Sequence, residues 1–275
     1  MDVFAAFIAP ALAGVFVGVM SGLLGVGGGT IMVPIFRLAF GMSPLASTAT
    51  SLFAIIPTSI SGVVAHARAK TCVPKLGLAL GVGGAVMSPL GVWLASVSPG
   101  WLVICVAAIV IGFSAFKMFK KAVKCAPMPR ADASSAHSAT PKPVPDQPVL
   151  SCKQYLQGAR IGLIAGLASG YVGVGGGFIM VPLMLAVLDI PMSLASGTSL
   201  IAIMILAIPG VIEQGLLGNI DYLAGIAIVV GSIPGALVGA RLVRVVPERQ
   251  LRFIFGGFLL VAAVMLMLNE FGILG

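Results

Sequence analysis

Ionisable side chains are scarce in this chain. Asp, Glu, Lys and Arg make up 9% of its 275 residues, against about 25% in an average soluble domain. Water is therefore not its main solvent. Acidic groups are scarcer still, 8 against 16 basic ones. No Asp, Glu or Lys falls near the centre of any apolar run, which argues against a proton relay built on carboxylates. The four cysteines (Cys72, Cys105, Cys125, Cys152) form no CxxC pair and show no His/Cys metal spacing, so neither a metal site nor a cofactor is expected. No nucleophile–base pair is visible, and an enzyme acting on sulfur through Cys105 is the weakest reading. The first apolar run has no Lys or Arg before it and carries Asp2, so it does not read as a secretory signal.

Apolar sequence is abundant. The chain is 59% hydrophobic with mean hydropathy +1.14. Long apolar runs cover roughly 49–65, 76–97, 100–116, 195–212, 222–240 and 253–268. Each is long enough, or nearly so, for a helix to cross a hydrocarbon core of about 30 Å. Barrel strands would be shorter and alternating. The fold class is all-α, a polytopic membrane protein with the lipid bilayer as its surroundings. The net charge of +8 reads as loop charge that orients the chain, and no nucleic-acid partner is expected.

The chain also repeats itself. GLLGVGGGTIMVP begins at Gly22 and GYVGVGGGFIMVP at Gly170. In one gapless register, Gly14, Gly18 and Gly22 fall on Gly162, Gly166 and Gly170. Thr50-Ser51-Leu52 falls on Thr198-Ser199-Leu200, and Gly62, Gly77, Gly83 and Gly91 fall on Gly210, Gly225, Gly231 and Gly239. This predicts a first transmembrane repeat over 1–119 and a second over 158–275. Between them, 120–157 is rich in Pro, Ser and Ala and reads as a flexible linker.

Basic residues then assign the faces. Residues 66–75 carry Arg68, Lys70 and Lys75, while the repeat partner 213–222 has no Lys or Arg. Residues 96–100 are uncharged, while 241–252 carries Arg241, Arg244, Arg249 and Arg252. The positive-inside rule places 66–75, the linker and 241–252 in the cytoplasm. Cys125 and Cys152 would then lie where thiols stay reduced. Equivalent loops fall on opposite faces, which predicts inverted-topology repeats with both termini outside the cytoplasm. Parity then favours, in each half, a Gly-rich broken helix forming a re-entrant hairpin, followed by about three transmembrane helices. The hairpin arms, such as 158–173 and 177–188, would be short, about 17–24 Å. Three short full crossings per half satisfy the same parity.

Broken helices in lipid are tolerated only where protein or a wet cavity satisfies their peptide groups. A new helix starts after each glycine triplet, and a helix N-terminus offers free N–H groups and partial positive charge to an anion. No GK[ST] follows and no strand precedes, so this is not a phosphate-binding P-loop. The expected substrate-binding residues are Gly27, Gly28, Gly29 and Thr30 with Gly175, Gly176, Gly177 and Phe178. The hydroxyls of Thr50, Ser51, Thr198 and Ser199 are candidate donors; back-bonding or helix capping are their structural alternatives. The GxxxG rows, such as Gly162-Gly166-Gly170, read as helix-packing faces. Asp221 reads as an N-cap and Glu213 as a solvated helix end. Arg37 is a candidate for steering anions, or it snorkels to the surface. His66, closing its helix at the basic loop, is a candidate for pH dependence.

At GVGGGTIMVP, GVGGGFIMVP, the ASGTSL of 195–200 and LGNIDYLAGIAIVVGSIPGALVGARL at 217–242, the chain resembles the TauE/SafE sulfite exporter family, also called the toluene-sulfonate uptake permeases. The likeness covers nearly everything but the linker. It departs at Ala49, where the second half has Gly197, and at 66–75, which lacks the NID turn. The resemblance implies a transporter of sulfite or a small organosulfonate in the bacterial cytoplasmic membrane, an exporter working by alternating access. A passive anion channel and an importer of a sulfonate or carboxylate are the rival readings. H+ coupling, Na+ coupling, uniport and a homodimer are all compatible with the chain. With the charge pattern above, alkaline phosphatase fused to the C-terminus should be active and a fusion within the linker inactive; the reverse pattern overturns the topology.

Overall fold

In a computed structural model, residues 3–124, 152–172 and 175–270 are described, and among them every regular element is helical. The order is α1 (Val3–Leu24), α2 (Gly29–Leu38), α3 (Pro44–Arg68), α4 (Pro74–Val97), α5 (Gly100–Lys124), α6 (Cys152–Val172), α7 (Gly177–Leu183, continued by a π turn over Met184–Leu188), α8 (Met192–Leu216), α9 (Tyr222–Leu242) and α10 (Glu248–Glu270). Among the described residues, α1, α3, α4, α8 and α9 are long and apolar enough to cross a membrane. Each half thus has a broken pair followed by three long helices. Residues 120–124 and 152–157 are helical, which narrows the segment expected as linker; its remainder lies outside the described residues.

Local chemistry explains the boundaries. Pro44 and Pro74 occupy first helical positions, where the missing N–H costs nothing. Ser43 caps α3 by accepting from the Ala46 N–H, and Asp221 caps α9 by accepting from that of Ala224, as expected for Asp221. The helices α3 and α8 end alike. Lys70 and Gly218 take left-handed backbone, and the N–H groups of Thr71 and Asn219 reach back to the carbonyls of His66 and Gln214. That is a Schellman closure.

The broken pairs differ from expectation in one respect. The first arm is not short: α1 has 22 residues and α6 has 21, about 33 and 31 Å. The helix of α6 continues through the polar Lys153, Gln154 and Gln157, which an apolar run does not include. Only the second arms are short, 10 residues in α2 and 12 over Gly177–Leu188, about 15 and 18 Å.

Packing exchanges partners between the halves. α1 lies most closely against α9, and α6 against α4. Gly14, Gly18 and Gly22 face the α9 backbone successively at Ile228, Ser232 and Ala236. Gly162, Gly166 and Gly170 face α4 at Leu80, Gly84 and Ser88. Both pairs therefore run parallel. Between lipid-solvated helices there is little hydrophobic drive, so close backbone approach of this kind supplies much of the association. The pair α3 and α8 crosses the other way: Gly62 meets Leu200, and Gly210 meets Leu52. These two helices occupy equivalent places in the repeat and run antiparallel. The main buried apolar cluster spans both halves, including Val26, Ile55, Phe178, Ile203 and Leu206.

A Cβ on Gly166 would stand 2.5 Å from the Cα of Gly84. Gly166→Val should force α4 and α6 apart and cost more than about 3 kcal/mol. Gly112, in α5, has nothing within 4 Å of where a Cβ would stand, and Gly112→Ala should gain up to about 1 kcal/mol. Thermal unfolding of the detergent-solubilised variants checks both.

Candidate functional site

The first glycine string leaves the helix at Leu24. Gly25, Gly27 and Gly28 all have left-handed backbone, φ 71°, 80° and 82°, which a β-carbon would strain. The turn puts Gly28 at the N-cap of α2 with no side-chain cap. The N–H groups of Ile31 and Met32 both donate to the Gly28 carbonyl at 3.0 Å. Those of Gly29 and Thr30 precede any intrahelical acceptor. In the second string Gly173 and Val174 lie outside the described residues. Gly175 is left-handed at φ 80°, but Gly176, the N-cap of α7, is right-handed at φ −72°. The two strings share a sequence without sharing a conformation.

They meet. A Cβ on Gly177 would lie 2.7 Å from both the carbonyl oxygen of Gly25 and the Cα of Val26. One on Gly27 would lie 2.8 Å from Ile203, and one on Gly175 3.2 Å from Ile55. Ile55 and Ile203 are repeat partners near the middles of α3 and α8. The strings therefore abut backbone to backbone in the centre of the helical array, where a larger residue on either would separate them.

Hydroxyls near this junction are unevenly supplied. Three buried hydroxyls among the described residues have no hydrogen-bond partner: those of Ser21, Thr30 and Ser59. Ser21 is 1% exposed and its Cβ is 3.6 Å from where a Cβ on Gly28 would stand. Thr30, 2% exposed, belongs to the first turn of α2. Ser59 follows Ile55 by one turn of α3, on the same face. An unpaired buried hydroxyl costs about 1–3 kcal/mol, so three in one half are conspicuous. Their repeat partners are Ser169, Phe178 and Ala207, and Phe178 is fully buried among apolar neighbours. Beside Thr30, a cavity of about 630 Å³ opens between α1, α2 and α10, lined by Phe16, Met20, Pro34, Phe253 and Phe258 among others.

Of the hydroxyls expected to face substrate, most are engaged elsewhere. Thr50 accepts from the N–H of Asp221 at 2.9 Å, and Thr198 from that of Val73 at 3.0 Å. Each ties the start of a helix in the other half. Ser51 donates to its own helix at Thr48. Ser199 alone reaches a glycine string, donating to the Gly25 carbonyl at 2.6 Å; it holds the tip in place. Arg37 lies in the last turn of α2, half-buried, about 12 Å along the helix from Gly29 and so away from the junction. Sequence reasoning missed Ser21 and Ser59. For Ser21 a signal existed, because Ser21 and Ser169 each precede a glycine string by the same spacing.

Ala49 and Gly197 also part ways for a local reason. A Cβ on Gly197 would run into the Thr71 carbonyl oxygen and stand 2.9 Å from the His66 ring, so only glycine fits. Among the described residues no three metal-ligating side chains cluster. The thiol of Cys72, in the α3–α4 turn, is pushed up in pKa by burial, which keeps it protonated and a poor nucleophile.

The model of the sulfite exporter TauE/SafE family matches residues 10–266. The chain belongs to that family. It is similar to two probable membrane transporter proteins of Bacillus subtilis: YunE, 26% identical over 249 residues, and YdhB, 28% identical over 243, each alignment covering 86% of this chain and 89% of the relative. It is also similar to the probable membrane transporter protein MJ0441 of Methanocaldococcus jannaschii, 24% identical over 273 residues and 94% of both chains. No solved structure matches the chain. With its helices and these relatives, this TauE/SafE protein is a multi-pass membrane transporter.

The Thr198 contact is structural by geometry. Thr198→Val should cost about 1–3 kcal/mol by orphaning the Val73 N–H, while the folded fraction keeps its transport activity; a Thr198 variant that melts normally but loses transport would reverse this assignment.

Proposed function

We propose that this transporter carries a small sulfur-containing oxyanion, sulfite or an organosulfonate, out of the cytoplasm by alternating access. The observation that carries the reading is the pair of unpartnered hydroxyls of Ser21 and Thr30 beside the uncapped N-terminus of α2. An anion seated there would take the N–H groups of Gly29 and Thr30 and the hydroxyls of Ser21 and Thr30. A sulfonate or sulfite offers three oxygens with many lone pairs, and hydroxyl donors hold it without a buried counter-charge. The partial positive end of α2 adds to the attraction. The substrate site is thus lopsided: the first string supplies the donors, while Gly175, Gly176, Gly177 and Phe178 form the wall against which the first tip rests.

Inverted-topology repeats are part of the same proposal. Their support is the opposite run of α3 and α8 and the opposite placement of basic residues in equivalent loops. Such repeats allow one hairpin or one half to rock against the other around a central site. The bacterial cytoplasmic membrane is the location this implies, with the linker and the basic turns inside.

Thr30→Val and Ser21→Ala should leave thermal stability unchanged or raised, because each removes an unsatisfied hydroxyl. Both should weaken binding about tenfold or more, the value of one hydrogen bond to a charged group. The measurement is the melting shift of purified protein with sulfite, methanesulfonate, sulfate and acetate at matched ionic strength. Ligand shifts that survive both substitutions would remove the site from α2.

A further inference from the structure

His66 closes α3 and is fully buried. Its Nε2 lies 2.9 Å from the carbonyl oxygen of Gly22, and its Nδ1 lies 2.7 Å from the Thr71 hydroxyl. A carbonyl only accepts, so Nε2 carries a hydrogen and donates to Gly22. In the neutral ring Nδ1 then accepts from Thr71. The same hydroxyl also lies 3.3 Å from the carbonyl oxygen of His66 itself. If Nδ1 takes up a proton, Thr71 can accept from it and turn its own hydrogen to that carbonyl. Both protonation states are satisfied without moving a heavy atom.

The second half shows what this corner needs for structure alone. Repeat partners of His66 and Thr71 are Gln214 and Asn219. There the Asn219 amide donates to Gln214 Oε1 at 2.8 Å, and the backbone closes by the same bond. A pair of amides therefore suffices to build the turn. The first half uses an imidazole instead.

We propose that His66 is the transporter's proton-binding site, which makes H+ the coupled ion; the proposal rests on the anion site at α2. Gly22, whose carbonyl His66 holds, is adjacent to Ser21 and leads directly into the first glycine string. The ionisable groups around the ring are basic. Arg244, from the turn between α9 and α10, donates to the Ala69 carbonyl beside it. Arg68 and Lys70 are exposed on its own turn, and Lys75 opens α4. The buried Cys72 thiol stays neutral. From α1 and the start of α8 the facing residues, Gly22, Ser196 and Gly197, carry no charge. Glu248, at the start of α10, is occupied by Arg252 at 2.6 Å and the Met192 N–H at 3.2 Å. Among the described residues an imidazolium here has no carboxylate of its own. An anion at the neighbouring tip supplies the missing negative charge, so proton and anion each favour the binding of the other. The proton enters from the aqueous phase onto Nδ1, and the pair moves without net charge, outward only where the anion gradient exceeds any opposing proton gradient.

The chain has two histidines, His66 and His137, so 15N-histidine NMR of the full-length protein resolves each, with His66→Gln assigning the signals. Methanesulfonate is the probe, because unlike sulfite it does not titrate near neutrality. In a titration over a wide pH range, saturating methanesulfonate should raise the proton affinity of His66 about threefold or more. In proteoliposomes, a pH gradient should alter methanesulfonate flux several-fold. His66→Gln with Thr71→Asn, which installs the second half's pair, should abolish the response of whatever flux remains to the pH gradient. A variant that still responds to the gradient overturns the proposal, as does a His66 titration that methanesulfonate leaves unmoved. The NMR titration decides alone if the double variant fails to fold. Absence of methanesulfonate binding and flux in the unmodified protein counts against the anion site, and the titration of His66 still decides the proton site.

Discussion

A break between two helices within an apolar array leaves peptide groups that lipid cannot satisfy, and most of this architecture answers that constraint. The chain breaks twice, after Leu24 and after Val172, and the two breaks are buried against each other and against the middles of α3 and α8. Glycine allows the contact because no side chain keeps the strands of backbone apart. What is left unsatisfied among the described residues lies in the first half, on Ser21 of α1, Thr30 of α2 and Ser59 of α3. The long helices then serve as walls: α1 on α9 and α6 on α4 hold the broken ends in line, and Thr50 and Thr198 fasten the far ends of the array across the halves.

The two halves use one sequence pattern for two purposes. In the second, Phe178 fills the position of Thr30, Gly176 keeps ordinary helical backbone, and α7 is buried along nearly all its length. In the first, three hydroxyls remain unpaired and a cavity lies beside Thr30. Three unpaired hydroxyls cost several kcal/mol together, an amount comparable with a large part of a domain's net stability. Such a loss is sustained where the groups have a partner in another state of the molecule.

Much of this was legible in the sequence. Hydropathy located the long helices, the gapless repeat located the two breaks, and Asp221 was read correctly as a cap. The repeat could not say which hydroxyls remain available, because that depends on what lies across from each. Thr50 and Thr198 look like ligand donors until the N–H groups of Asp221 and Val73, 171 and 125 residues away in the chain, are placed beside them. Likewise the length of α6 was underestimated, since its first turns are polar and helix formation there does not follow hydropathy. Identical strings also concealed unequal backbones: Gly28 and Gly176 differ in handedness although the glycines beside them in sequence are the same.

The exchange of partners between halves has a consequence for biosynthesis. α1 is made first, yet the helix that covers its glycine row, α9, begins at Tyr222. For most of translation that row faces lipid or another protein, and the peptide groups of the first break are without their final cover. The first half therefore has no finished form of its own, and assembly is completed only when α9 is inserted. An insertase or chaperone that shelters α1 and α2 during this interval would act on the step most exposed to misassembly.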